Sequence, residues 1–114
     1  LKGLNMLYGP GNDLVSATAW TAAGAHLILF TTGRGTPFGA PAPTMKLATN
    51  TPLAKKKHNW IDFNAGVVAD GEMTLDEAAA ALMEKVCAVA SGEKTKAELN
   101  GFREISIFKD GVVL

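Results

Sequence analysis

Residues 3–31 read GLNMLYGPGNDLVSATAWTAAGAHLILFT, and the order of patterns in this stretch decides the fold class. Gly3–Tyr8 is a short, mostly apolar run that reads as a strand or extended lead-in. Gly9-Pro10-Gly11-Asn12-Asp13 is a turn cluster. Asn12 suits the N-cap of a helix, and Asp13 would stand in its first turn, where the helix dipole favours an acid. Leu14–Ala23 is alanine-rich and stops at Gly24, as a helix does. His26–Thr31 is a continuous apolar run of the kind a fully buried strand presents. Strand, helix and strand in this order form a βαβ unit, whose strands run parallel. The chain is therefore expected to be an α/β domain with a mainly parallel sheet.

The rest of the chain is read outward from that unit. Thr32–Pro43 (TGRGTPFGAPAP) carries three glycines and three prolines. A dozen residues without regular structure inside a compact domain is unusual and often functional. Thr44–Thr49 alternates weakly and reads as a further strand. Thr51 followed by Pro52 resembles an N-cap and N1 pair that opens a short helix to Lys57. Trp60–Phe63 is a short extended candidate. Thr74 and Glu77 make a T-x-x-E capping box. Leu75, Ala79, Leu82, Val86 and Val89 then fall on one helical face, ended by Gly92. Glu104–Phe108 and Val112–Leu114 flank Lys109-Asp110-Gly111, a hairpin signal. With no internal repeat and no dividing linker, residues 1–114 are expected to form one domain.

Composition removes several classes. Hydrophobic residues make up 47% of the 114 residues, too many for a disordered chain. No apolar run approaches the ~20 residues a membrane helix requires, and no secretory signal is visible. A single cysteine, Cys87, rules out an internal disulfide framework and a cysteine-rich zinc site. Eleven basic and eleven acidic residues cancel, so the chain carries no nucleic-acid footprint. The charge is unevenly placed: residues 1–54 hold only Lys2, Asp13, Arg34 and Lys46, together with all five prolines and seven of the twelve glycines. Two readings stand. Either this half is a well-buried α/β core, or it faces more protein and the chain is a piece of something larger; the start at Leu1 rather than Met leans towards the second.

Parallel sheets bind ligands outside the carboxyl ends of their strands. GPGND follows the first expected strand and TGRGTPFG the second, which puts both loops on one edge of the sheet. GPGND also leads into a helix N-terminus, where free amides attract anions. Arg34, the only arginine of residues 1–54, could grip a carboxylate or phosphate with two parallel hydrogen bonds. A small-anion site follows from this; the alternative is that the glycines only make turns and Arg34 is a solvated or interface residue. No Gly-Lys-Ser/Thr follows GPGND, and Leu14 stands where G-x-G-x-x-G needs glycine, so nucleotide binding is unsupported. Asp62 and Asn64 alternate with Ile61 and Phe63, so on a strand both would face one way. That suits a hard cation or a sugar hydroxyl, with ordinary turn capping as the alternative. Cys87 reads as a buried small hydrophobe, His26 as a hydrogen-bonded structural residue and His58 as part of a solvated helix end. Trp20 and Trp60 read as packing, and Glu93–Lys96 as a solvated link.

Several strings carry a resemblance. GLNMLYGPGNDLVSATA, LILFTTGRGTPFGAPAPTMKLATNTPLAKKK, WIDFNAGV, ASGEKT and the terminal FKDGVVL resemble, in order, the C-terminal part of the altronate/galactarate dehydratase family. YGPGND with TGRGTPFG is more similar to the altronate type than to the galactarate type. The resemblance implies a cytoplasmic hydro-lyase of hexuronate breakdown that dehydrates altronate to 2-keto-3-deoxygluconate. It implies a divalent metal, iron(II) or else manganese(II), and a Rossmann-like, three-layer domain of which this chain would be an incomplete fragment. The partners implied are the sugar acid, the remainder of the full-length enzyme and further copies of it in a homo-oligomer, with no nucleic acid and no membrane. The site residues are assigned from their own chemistry rather than carried over from the family. Asp62 and Asp13 are assigned to catalysis, and Asp62 also to the metal. Gly11, Asn12, Thr32, Gly33, Arg34, Gly35 and Asn64 are assigned to substrate. A non-catalytic module for oligomerisation or small-anion binding is the rival reading.

Overall fold

β2 (Thr44–Ala48) is the centre of the sheet, and all five of its residues are buried. A computed structural model describes residues 2–107 of the chain. Among these, β1 (Ile28–Thr32), β2 and β3 (Phe63–Asn64) form a three-stranded sheet in the order β1-β2-β3, with both pairings parallel. The helices are α1 (Asp13–Ala22), α2 (Thr51–Lys56), α3 (Gly66–Ala69), α4 (Leu75–Ala90) and α5 (Lys96–Leu99). The α/β class and the parallel sheet are as expected.

The pleat sorts the core into two faces. Met45 and Leu47 point to one face and pack with Val89, Val86 and Leu82 of α4. Ile28 points to the other, where Ala17 and Leu14 of α1 and Phe38, Ala40 and Ala42 of the long loop meet it. Ala48 shares a cluster with Leu53 of α2 and Ile61. Helices therefore cover both sides of the sheet.

Local signals explain most of the elements. Asn12 caps α1 by accepting from Val15 N–H at 3.4 Å. Thr74 and Glu77 form the capping box of α4, and the Thr74 donors hold the Glu77 carboxyl below its usual value. Beyond α4, Gly92 takes φ +112°, a conformation that favours glycine.

Several expectations are corrected. Gly3–Tyr8 is not a strand of the sheet: Leu4, Met6 and Tyr8 are 95%, 92% and 103% exposed. An apolar run pairs only where a neighbouring strand and a cover exist, and residues 2–107 supply neither for it. The βαβ unit of residues 3–31 is thus not formed. The sheet instead has a helix crossover at β2–α2–β3, and a helix-free loop joins β1 to β2. The N-cap of α2 is Asn50, not Thr51, and Thr51 is the first helical residue. The link at residues 93–96 ends in a second capping box, Thr95 with Glu98, that starts α5. On α4 the buried residues are Ala78 and Val89, while Leu75 is exposed. Cys87 is exposed, because it lies one residue, about 100° of helix, past Val86. His26 is also exposed. The expected terminal hairpin turns on residues 109–111 and lies outside the described residues.

Candidate functional site

The three parallel strands end at Thr32, Ala48 and Asn64, and the chain knits these ends together. Thr32 Oγ1 accepts from Gly35 N–H at 2.9 Å, closing the TGRG turn. Gly35 takes φ +82° and packs on Leu53 and the aliphatic stem of Lys57, 3.1 and 3.2 Å from where a Cβ would stand. Thr49 donates its N–H to Thr32 O at 3.0 Å and its hydroxyl to the same oxygen at 3.3 Å. Asn50 works in two directions: its Oδ1 accepts from Leu53 N–H at 2.9 Å, and its Nδ2 donates to Gly33 O at 3.1 Å. One side chain thus caps α2 and holds the glycine-rich turn against it.

The third strand joins through Thr51. Asn64 Nδ2 donates to Thr51 Oγ1 at 3.0 Å, and Thr51 Oγ1 donates to Asp70 Oδ2. Asn64 Oδ1 accepts from Gly66 N–H at 3.0 Å. Thr32, Gly33, Arg34, Gly35 and Asn64 are therefore brought to one edge, with the neighbouring pair Asn50-Thr51 as the bridge. Arg34 stands exposed on the pinned turn. Lys57, whose stem meets Gly35, holds its Nζ 4.1 Å over the Trp60 ring, a cation–π contact. A guanidinium presented from a pinned turn can meet a carboxylate with two parallel hydrogen bonds.

The other assigned residues lie outside this hydrogen-bond network. Gly11 and Asp13 line a groove between α1 and β1 that reaches Thr31, so GPGND comes down beside β1. Asn12 spends its side chain on the α1 cap. Asp62 belongs to a separate arrangement: Oδ2 accepts from Lys46 N–H and Oδ1 from Lys96 N–H, both at 2.8 Å. It shares no partner with Asn64, although the two alternate on the chain. Both oxygens thus pin β2 and the first turn of α5.

By themselves these residues do not make up a metal site. The Asp62 oxygens are taken by amides, and among the described residues no three His, Cys, Asp or Glu side chains gather as ligands.

Sequence reasoning missed Asn50, Lys57 and Asp70, and it missed Lys46 entirely. Lys46 sits mid-strand in β2 and is buried. Its Nζ donates to Phe38 O and lies 4.9 Å from the Phe38 ring and 6.0 Å from the Phe102 ring. Burial lowers its pKa to about 8 against the opposing pull of Asp62 and Glu104. The Glu104 carboxylate in turn accepts from Gly39 N–H at 2.8 Å. The only sequence signal was a lone cation in an otherwise apolar strand, TMKLA.

A family model described as "D-galactarate/Altronate dehydratase, C-terminal" matches residues 1–113. The chain is 49% identical over 113 residues to an altronate dehydratase of Bacillus subtilis (strain 168), covering 99% of this chain and 23% of that protein. It is 47% identical over 112 residues to an altronate dehydratase of Escherichia coli (strain K12), covering 98% and 22%. A galactarate dehydratase (L-threo-forming) of Escherichia coli (strain K12) is 43% identical over 94 residues, covering 82% and 18%. The chain thus spans less than a quarter of the length of these relatives.

Proposed function

The chain belongs to the D-galactarate/altronate dehydratase C-terminal family, and from that membership we propose that it is the C-terminal part of a sugar-acid hydro-lyase acting on D-altronate. The product would be 2-keto-3-deoxy-D-gluconate, in cytoplasmic hexuronate breakdown. Altronate is favoured over galactarate by the higher identity and wider coverage of the altronate-type relatives. The observation that carries the reading at the site is the pinned TGRG turn with Arg34 exposed on it.

Dehydrating such an acid means taking the proton from the carbon next to the carboxylate and expelling the hydroxyl from the carbon after it. Negative charge then builds on the carboxylate. Cations fixed in advance stabilise that charge without reorganising. Arg34 holds the carboxylate through its two-pronged guanidinium, and Lys57 adds a second positive charge at the same edge. Asp13, exposed at the first turn of α1 on the groove beside β1, is assigned the proton work. Asp62 keeps the β2–α5 anchor instead. A divalent metal, iron(II) or manganese(II), stays in the proposal for the complete homo-oligomeric enzyme, with ligands from outside residues 2–107 needed to complete its site.

Arg34→Lys in the complete enzyme tests the clamp. Lysine keeps the charge and loses the fork. The catalytic efficiency kcat/KM on altronate is expected to fall by about 1.5–3 kcal/mol in transition-state stabilisation, with the unfolding midpoint unchanged. Steady-state kinetics equal to the parent would remove Arg34 from the site.

A further inference from the structure

We propose that the open edge of β1, with the groove between it and α1, seats a further parallel strand supplied by the part of the enzyme outside these 114 residues. The ladder register decides which backbone groups are spoken for. Ile28 N–H donates to Pro43 O at 2.9 Å, and Thr32 O accepts from Thr49 N–H at 3.0 Å. Along a parallel strand, residues that bond one neighbour alternate with residues facing the other side. Ile28, Phe30 and Thr32 therefore face β2, and Leu29 and Thr31 turn their N–H and C=O groups outward. No described strand lies there.

The side chains agree with the backbone. Leu29 is in register with Met45 and so projects to the α4 face. Met45 is fully buried, whereas Leu29 is 43% exposed; the cover stops one strand short. On the opposite face, Ala17 and Trp20 of α1, with Gly11 and Asp13, border a groove of about 220 Å³ that runs beside the same strand. That is below the ~300–1,000 Å³ of sites that enclose a small molecule. A strand seated there would bond Leu29 and Thr31, lay one side chain over Leu29 and turn the next towards Ala17 and Trp20. Covered on both faces, it would be a short run of apolar residues.

The sequence of β1 argues for the same occupant. Exposed edge strands are protected by lysine, proline, bulges or inward charges. Ile28–Thr32 is ILFTT and has none of these residues, so it is built to be paired. A second copy related by a two-fold axis would pair β1 with β1 antiparallel, against a sheet whose pairings are parallel. The relatives matched over 98–99% of this chain devote only 22–23% of their length to it, so ample polypeptide is available.

Two measurements on the complete enzyme decide the matter without reference to turnover. Amide hydrogen exchange at Leu29 and Thr31 should be as slow as at Met45 and Leu47, within about tenfold. A photo-crosslinking benzoylphenylalanine at position 29 should capture a peptide from outside the 114 residues. Mixed isotope-labelled subunits should assign that peptide to the same polypeptide. Exchange ~1,000-fold faster than in β2 would overturn the proposal. So would capture of any segment within the 114 residues, or of another subunit. The exchange measurement uses the unmodified enzyme, so it stands even where the position-29 variant misfolds.

Discussion

Gly66→Ala is expected to destabilise the chain by about 3 kcal/mol, the upper end of what overpacking a core costs. A Cβ at Gly66 would stand 2.4 Å from Thr51 N, 2.6 Å from Asn50 C and 2.7 Å from Asn50 Cα. All three atoms are backbone, so no side chain can rotate away. Relief requires moving the Asn50-Thr51 link from Gly66. That link carries the α2 cap, the bond to Gly33 and the Thr51–Asn64 contact. The damage therefore reaches the candidate site as well as the core. Gly39→Ala should behave alike, with Phe102 O at 2.4 Å. Gly9→Ala is the control: nothing lies within 4 Å of its Cβ position, and a change within ~0.5 kcal/mol is expected. Denaturant titration of the three variants gives the comparison. A Gly66→Ala loss below about 1 kcal/mol would show that the two segments separate freely.

The legible parts of this fold are those written in neighbouring residues. Asn12 before a run of alanines gave α1, Thr74 with Glu77 gave α4, and the apolar run at residues 27–30 gave β1. Gly3–Tyr8 has the same apolar character as β1, yet a periodicity states only that a segment should be covered, not by what. α5 escaped notice although Thr95–Glu98 repeats the motif that opens α4, because a four-residue helix shows no apolar period. At the site, the TGRG turn and Arg34 were readable as a loop after a strand. What fixes them was not, since Asn50 reaches Gly33 across 17 residues. The Asp62–Asn64 alternation was visible, but the amide that takes one Asp62 oxygen comes from Lys96, 34 residues on. The burial of Lys46 likewise depends on Phe38 and Phe102, which only the folded chain brings together.

Lys46 should give the chain a stability that rises with pH above neutrality. Its folded pKa is about 8, against 10.5 for an ordinary lysine, because burial disfavours the charged form. Between these values the unfolded chain binds the proton and the folded chain does not. Stability grows wherever the unfolded state holds more protons. The contribution is therefore flat below pH 8, climbs from about pH 8 to 10.5 and then levels off. At about 1.36 kcal/mol per pKa unit, the full rise is on the order of 3 kcal/mol. Lys46→Met removes the titrating group while keeping an unbranched apolar stem one atom shorter. At pH 7 that variant loses the buried cation's desolvation cost but leaves Phe38 O without its donor. These opposed effects are each worth roughly 1–3 kcal/mol, so the slope, not the absolute stability, is the diagnostic. Denaturant midpoints measured from pH 7 to 10.5 should climb for the parent relative to Lys46→Met. Parallel curves for the two proteins would mean that Lys46 keeps its proton throughout, with Asp62 and Glu104 outweighing its burial.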